Sequence, residues 1–179
     1  MITTQLAAPT ALFRVNTPKW AFAPLSGAGA AAHGGRFNRP GLEALYLSLD
    51  AVTALAEYQQ TSPHLPPGTI CSYAAHLPPL VDLRELGNGV WDPIWQDWAI
   101  DWRAMYFNEH IEPPTWDMGD MAIAAGSPGI IFPSTANPPA GINVVLFLTE
   151  LTAPGGGIDV IDPGHLLPQN AASWPSTMP

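Results

Sequence analysis

The sequence is poor in cysteine and in positive charge. One cysteine, Cys71, is present among 179 residues, which excludes an internal disulfide framework and a zinc site built on several cysteines. Six Lys and Arg residues stand against 15 Asp and Glu residues, so the net charge is −9. This balance excludes a broad basic surface for nucleic acid, and we expect no direct nucleic-acid binding.

Long apolar runs and targeting signals are also missing. No segment approaches the roughly 18 apolar residues that a transmembrane helix needs. The N-terminal MITTQLAAPT lacks the charged and apolar regions of a signal peptide. We therefore expect a cytoplasmic protein that makes no membrane contact. Hydrophobic residues make up 47% of the chain and charged residues 12%, which excludes a disordered chain and predicts one folded domain.

The common nucleotide and metal motifs are absent from the sequence. It has no GxGxxG after a predicted strand, no GxxxxGK followed by Ser or Thr, and no GxSxG elbow. These absences remove the usual signals for a dinucleotide fold, a P-loop and a serine hydrolase. The five histidines do not fall at HExxH or another recognisable metal spacing, so we expect no metal.

The hydrophobic pattern predicts short elements in a mixed order, divided by 21 prolines and 16 glycines. Strands are predicted at 11–15, 44–49, 70–77, 80–83, 129–132, 143–151 and 158–162, and helices at 51–60, 94–110 and 115–126. Regular βαβ alternation is lacking, which favours an α+β domain over a doubly wound sheet. We place the core at about 11–150 and expect 151–179 to form a Pro- and Gly-rich C-terminal wrap.

Two local features refine this pattern. Asp50 is predicted to cap the helix at 51–60, whose apolar face is predicted to hold Val52 and Leu55. The small-residue stretch at 26–35 cannot pack much by itself. It is expected either to be mobile or to let another group approach the backbone closely.

The few cations are concentrated in one part of the chain. Four of the six lie close together in sequence: Arg14, Lys19, Arg36 and Arg39. They are either ordinary surface charges or parts of an anion site, for which the planar Arg group suits phosphate well. The segment HGGRFNRPG at 33–41 is correspondingly either a turn before the next strand or a clamp for a phosphate or nucleotide.

Three other side chains have a structural and a functional interpretation. Glu57 lies about 140° around its helix from Val52, off the predicted apolar face, which indicates a solvated carboxylate. Tyr46 lies in an apolar strand, where core packing is the ordinary role. Ser134 follows GIIFP and fits a turn. On the residues alone, neither interpretation is excluded.

Several segments, taken together and in order, resemble a known family. They are FRV (13–15), GGRFNRPG (34–41), ALYLSLDAVTALAEYQ (44–59), PTWDMGD (114–120), GIIFPS (129–134) and NVVLF (143–147). On these segments the chain is similar to the RES-domain toxins of bacterial RES–Xre toxin–antitoxin systems. Arg36, Glu57 and Ser134 match the Arg, Glu and Ser that give the domain its name, and Tyr46 matches the tyrosine between the Arg and the Glu.

The resemblance implies a fold and an activity for one RES domain over 1–179. The family fold is similar to that of ADP-ribosyltransferase toxins, a small α+β domain whose mixed or antiparallel split sheet, flanked by helices, forms an NAD cleft. Within the family the chain looks most like the ParT type, which transfers ADP-ribose from NAD to phosphoribosyl pyrophosphate synthetase. Such a toxin would use NAD as a substrate without a metal, modify a protein acceptor, and be neutralised by an Xre-like antitoxin.

The resemblance also implies roles for particular residues, with Glu57, Arg36 and Ser134 as the catalytic set. Glu57 would stabilise the oxocarbenium-like sugar cation that forms when the nicotinamide–ribose bond breaks. Arg36, together with Arg14, would hold the diphosphate. The other NAD-binding candidates would stack on the nicotinamide or orient the sugar and carboxamide: Tyr46, Ser134, Asn38 and Asn143.

Two further functions are compatible with the sequence. The same site could hydrolyse or phosphorolyse NAD, because only the nucleophile that captures the sugar cation would differ. Alternatively, the domain is a non-catalytic interaction module that contacts a partner through exposed aromatic side chains. Such a module would bind its partner without nucleotide and would tolerate changes at Glu57.

Overall fold

An eight-stranded sheet runs through the protein. The computed structural model describes residues 1–60, 62–136, 141–152 and 156–172, so the end of the predicted C-terminal wrap, 173–179, lies outside the described residues. In chain order the strands are β1 (Thr3–Thr4), β2 (Thr10–Asn16), β3 (Ala44–Ser48), β4 (Thr69–His76), β5 (Leu80–Asp82), β6 (Gly129–Pro133), β7 (Ile142–Phe147) and β8 (Gly157–Val160). Their order in the sheet is β1-β5-β6-β7-β3-β2-β4-β8. Neighbours are antiparallel except β5 and β6, which are parallel.

The sheet is almost divided between β2 and β3. Seven residue pairs join β2 to β4, and five join β3 to β7. In the described part of the chain, β2 and β3 are joined through one pair, Phe13 with Ser48. The structure is therefore an α+β domain with a split mixed sheet, which confirms the predicted fold class.

Three α-helices accompany the sheet in the described part of the chain: α1 (Ala28–His33), α2 (Ala51–Gln59) and α3 (Pro114–Ala124). Helices α2 and α3 confirm the helices predicted at 51–60 and 115–126. The seven predicted strands correspond to β2 to β8, although the one predicted at 143–151 ends at Phe147. Helix α1 forms inside the stretch 26–35, for which the sequence predicts no helix. No helix in the described ranges is long and apolar enough to cross a membrane.

The predicted amphipathic helix over 94–110 is wrong. The segment contains a 3-10 helix at Pro93–Asp97 and, after a break, a π-helix at Ala104–Asn108. Trp95 is fully buried and Trp102 is 6% exposed, but they belong to separate short turns. Their sequence spacing is shared by one amphipathic helix and by several turns packed on one core, so the spacing alone does not distinguish these structures.

Apolar side chains cover both faces of the sheet. Because side chains alternate along a strand, β3 and β7 contribute to two core clusters. One cluster contains Leu45, Leu47, Val144 and Leu146. The other contains Ala44, Val145, Phe147, Trp95 and Met118. Alternation places three polar residues on the second face: Tyr46, Ser48 and Asn143.

Helix α2 turns a different face toward the sheet from the one its apolar residues predict. Val52 is 67% exposed, whereas Thr53 and Ala54 are buried. Glu57 follows these buried residues by four and three positions, so it lies on the same face of the helix. Glu57 is therefore half-buried on the side of α2 that faces the sheet, and not on the outer face that the apolar periodicity predicts. Thr53 can be buried because its hydroxyl donates a hydrogen bond to Asp50 at 2.6 Å.

Asp50 caps α2 and makes helix stability depend on pH. Its carboxylate accepts hydrogen bonds from the Thr53 hydroxyl and from the Thr53 N–H at 2.8 Å, and these bonds lower the pKa of Asp50. A carboxyl with a depressed pKa in the folded state stabilises the fold above its unfolded pKa, and this contribution is lost as pH falls through the folded pKa. We expect Asp50→Ala to lower the free energy of unfolding at pH 7 by about 0.5–2 kcal/mol, measured by urea denaturation.

A second variant separates capping from titration. Asp50→Asn keeps a capping oxygen but has no ionisable group, so it should lose less stability than the wild type between pH 7 and about pH 3. Asp159→Asn, which removes the same charge from an exposed residue of β8, is the control. Equal pH dependence in the wild type and Asp50→Asn would contradict the assignment.

Candidate functional site

Helix α2 carries Glu57 to the split of the sheet, where two other strands supply hydrogen-bond donors. Helix α2 contacts both β2 and β3. Oε1 of Glu57 accepts a hydrogen bond from Ser134 Oγ at 2.7 Å and another from Asn143 Nδ2 at 2.5 Å. Ser134 directly follows β6, and Asn143 lies in β7. Three predicted site residues that are distant in sequence therefore meet at one carboxylate.

A further hydrogen bond fixes the amide of Asn143. Ser48 Oγ donates to Asn143 Oδ1 at 2.7 Å, which leaves Nδ2 as the end that faces Glu57. Ser48 and Asn143 are paired in the register of β3 and β7, and both side chains are buried. Among the residues that the structure describes, both donors use Oε1, and Oε2 of Glu57 accepts no hydrogen bond. The carboxylate is thus held firmly through one of its two oxygens.

A cleft of about 370 Å³ opens beside this carboxylate. Its volume lies in the range of small-molecule binding sites. Its charged lining residues are Arg14, Arg36, Glu57 and Arg103. A neighbouring groove of about 540 Å³ shares four residues with the cleft: Glu57, Gln60, Arg103 and Thr135. Glu57 therefore lies at the junction of two cavities.

Arg36 lies in the cleft with part of its guanidinium anchored. Nη1 donates hydrogen bonds to the carbonyl oxygens of Trp98 and Ile100, both at 2.9 Å. Within the described residues, Nε and Nη2 of Arg36 have no hydrogen-bond partner. Burial lowers the pKa of Arg36, and the nearby Tyr46 and Glu57 act against that shift. The side chain is therefore a positioned cation with donors left for an anionic ligand.

Tyr46 lines the cleft, and its hydroxyl is fixed by the preceding loop. The oxygen accepts a hydrogen bond from the N–H of Phe37 at 2.9 Å, and the hydroxyl donates to Asn38 Oδ1 at 2.8 Å. Burial raises the pKa of Tyr46, so the phenol stays protonated. Asn38 is 1% exposed, and its Nδ2 donates to three backbone carbonyls. Asn38 therefore positions the loop and Tyr46 and does not line the cleft.

Arg14 and Arg39, two other cations of the predicted anion site, have different surroundings in the structure. Arg14 lines the cleft, but its Nη1 donates to the carbonyl oxygens of Ser26 at 3.1 Å and Pro24 at 3.5 Å. Arg39 lies outside the cleft lining and forms ion pairs of 2.5, 2.6 and 2.9 Å with Glu112, Asp117 and Asp120. In the segment 33–41, the clamp interpretation therefore applies to Arg36 and not to Arg39.

Arg103 and Ser48 are site residues that the sequence interpretation misses. Arg103 lines both cavities, but it lies in the segment predicted as one long helix. The sequence feature that points to Arg103 is the scarcity of cations, because Arg84 and Arg103 are the only cations after Arg39. Ser48 lies two residues after Tyr46 in β3, so strand alternation alone places both side chains on one face.

The arrangement suits a reaction in which positive charge develops beside Glu57 while an anionic group lies near the arginines. A carboxylate that is already fixed stabilises such charge without reorganising during the reaction. Guanidinium groups bind phosphates through paired hydrogen bonds. The described residues contain no group of three or more His, Cys, Asp or Glu side chains that could hold a metal ion.

Gly35 is essential to the packing of the loop that carries Arg36. A Cβ at Gly35 would overlap the Tyr46 hydroxyl and Oδ1 of Asn38. The groups that approach the backbone closely at this glycine are therefore side chains of the protein itself. We expect Gly35→Ala to lower the free energy of unfolding by about 1–3 kcal/mol, measured by urea denaturation. The matched control is Gly29→Ala, because a Cβ at Gly29 meets nothing within 4 Å. Equal destabilisation by the two substitutions would contradict this explanation.

Comparisons with known proteins identify the family. Among solved structures, the fold is similar to the crystal structure of the M. tuberculosis MbcT–MbcA toxin–antitoxin complex, with a TM-score of 0.60 and 18% sequence identity. The match covers 89% of this chain and 84% of that chain. No curated protein matches the sequence. A family model described as the RES domain matches residues 11–162, which is most of the chain, and the protein therefore belongs to the RES domain family.

Proposed function

We propose that this protein is the toxin of a toxin–antitoxin system. As an enzyme, the toxin cleaves the nicotinamide–ribose bond of NAD and transfers ADP-ribose to a protein. The observation that carries the proposal is the carboxylate of Glu57, held by Ser134 and Asn143 in a cleft that also contains Arg36. The resemblance to RES-domain toxins assigns NAD chemistry to these residues, and the chain belongs to that domain family.

In this proposal Glu57 acts on the ribose. The carbon–nitrogen bond breaks with its electron pair going to nicotinamide, which leaves as a neutral molecule and needs no strong general acid. The ribose then carries an oxocarbenium-like positive charge, as in glycosidic cleavage generally. The fixed carboxylate stabilises that charge, and Oε2 can accept a hydrogen bond from a ribose hydroxyl.

The surrounding residues orient the substrate and the carboxylate. Ser134 and Asn143 hold Oε1 of Glu57, and Ser48 holds the amide of Asn143 in the orientation this requires. The aromatic ring of Tyr46 provides an apolar surface on which nicotinamide can stack. The free donors of Arg36 provide hydrogen bonds for the diphosphate.

The groove beside the cleft gives a protein acceptor a path to the reacting sugar. After nicotinamide leaves, a nucleophile must reach the sugar carbon beside Glu57. The groove of about 540 Å³ also borders Glu57, so it offers a route from solvent that does not pass through the dinucleotide cleft. Following the ParT-type resemblance, phosphoribosyl pyrophosphate synthetase is the first acceptor to test.

The proposed partner is an Xre-like antitoxin, and the proposed compartment is the cytoplasm. Support comes from the family resemblance and from the similar fold of a protein solved in a toxin–antitoxin complex. NAD is the proposed substrate, and no role is assigned to a metal, to nucleic acid or to a membrane.

The decisive experiment incubates the purified protein with NAD, with and without phosphate and acceptor proteins, and follows products by mass spectrometry. Nicotinamide together with an acceptor that gains one ADP-ribose supports transfer. Free ADP-ribose instead identifies hydrolysis, and ADP-ribose 1″-phosphate identifies phosphorolysis. Intact NAD under all conditions, with a folded protein, would refute the enzymatic function.

Glu57→Gln tests the role of the carboxylate. The amide keeps the shape of the side chain but removes the negative charge, so nicotinamide release should fall by about 10²–10³-fold. Glu43→Gln, which makes the same change at an exposed residue outside the cleft lining, should retain wild-type activity. Urea denaturation checks that both variants fold. Wild-type rates in folded Glu57→Gln would remove Glu57 from the reaction.

A further inference from the structure

Among the arginines in the described part of the chain, Arg103 has the fewest ion pairs and hydrogen bonds. Arg39 and Arg84 form ion pairs with carboxylates. Arg14 and Arg36 are each anchored through one nitrogen, Nη1, which donates to two carbonyl oxygens. Arg103 has neither an ion pair nor a hydrogen bond to another described residue. Arg103 lines both cavities, so its N–H donors can contact a ligand bound there.

An aromatic contact holds Arg103 at the wall of the cleft. Its guanidinium lies 4.8 Å from the ring centroid of Trp102, which is itself buried and lines the same cleft. The π-helix at Ala104–Asn108 begins immediately afterwards. Cation–π contact restrains the guanidinium without using its N–H donors, so these donors stay available for a ligand.

Arg103 and Arg36 act on each other electrostatically. Burial is the main cause of the lowered pKa of Arg36, and the positive charge of Arg103 adds to it. Both cations also act on the pKa of Tyr46. Glu57 and Asp101 partly offset the charge of Arg36, but neither forms an ion pair with it. Two neighbouring cations without a paired carboxylate repel each other, and an anion bound by both removes this repulsion.

We propose that Arg103 and Arg36 together bind the diphosphate of the dinucleotide, so that Arg103 takes the role that the family resemblance gives to Arg14. The inference rests on the proposed function, because it names the contacts of the same substrate. A diphosphate carries two negative charges and can satisfy both guanidinium groups, whereas a nucleoside satisfies neither. Arg103 is therefore a specificity-determining residue for ligands that contain a diphosphate.

The proposed roles of Arg103 and Glu57 have different kinetic consequences. The diphosphate does not change during cleavage, so Arg103 binds substrate and transition state equally. Its loss should raise KM and leave kcat nearly unchanged. Glu57 interacts with charge that develops in the transition state, so its loss should lower kcat.

The test measures binding of ADP-ribose and of adenosine by calorimetry. ADP-ribose keeps the diphosphate and lacks the bond that is cleaved, so binding is measured without turnover. We expect Arg103→Ala to weaken ADP-ribose binding by about tenfold or more and to leave adenosine binding unchanged. Arg103→Lys should retain part of the affinity. Lys19→Ala, which removes one positive charge outside both cavities, should bind ADP-ribose like the wild type.

The outcomes separate this inference from the function on which it rests. If the wild type releases nicotinamide and Arg103→Ala keeps its ADP-ribose affinity and KM within about twofold, Arg103 is not part of the clamp. If the wild type neither binds ADP-ribose nor releases nicotinamide, the proposed function itself fails. The side chain of Arg103 is exposed, so Arg103→Ala should keep the wild-type urea midpoint. Arg103→Gln provides the same binding test if the alanine variant is unstable.

Discussion

A single residue pair, Phe13 with Ser48, joins the two halves of the described sheet. The site depends on how short this pairing between β2 and β3 is. Because β2 and β3 do not continue pairing, their facing edges leave room for side chains and for a ligand. Helix α2 contacts both strands and carries Glu57 into this opening. Asn143 and Ser134 reach the carboxylate from the half that contains β6 and β7. The cleft therefore lies where β2 and β3 stop pairing.

Local patterns predict the strands well because each strand carries its hydrophobic residues within a few neighbouring positions. The arrangement of strands in the sheet has no such local signal. The parallel pair of β5 and β6 and the short joint between β2 and β3 depend on contacts between distant parts of the chain. The helix predicted at 94–110 is wrong for a related reason. Trp95 and Trp102 are core residues of separate turns, and the break between these turns is stabilised by a hydrogen-bond donor from elsewhere, Arg36.

Family resemblance predicts a site at Glu57, and hydrophobic periodicity does not. Counting apolar positions places Glu57 toward solvent because the count treats Thr53 as a surface residue. Because the hydroxyl of Thr53 donates a hydrogen bond to Asp50, this polar residue can be buried, and the helix face that carries Thr53 packs toward the sheet. The family resemblance also assigns NAD binding to Asn38, whose amide instead donates to three backbone carbonyls. It assigns no role to Arg103, which lines the cleft but lies outside the matching motifs.

The protein is negatively charged as a whole, but three of the four charged residues that line its cleft are cations. The protein carries a net charge of −9, yet three of its six cations line the cleft: Arg14, Arg36 and Arg103. Within about 8 Å of the surface, the Debye length at physiological ionic strength, the net charge repels an approaching anion, and added salt shortens the range of that repulsion. Higher ionic strength therefore speeds encounter with an anionic ligand while it weakens the contacts made once the ligand is bound. Enzymes that steer their substrates by attraction show the opposite effect on encounter.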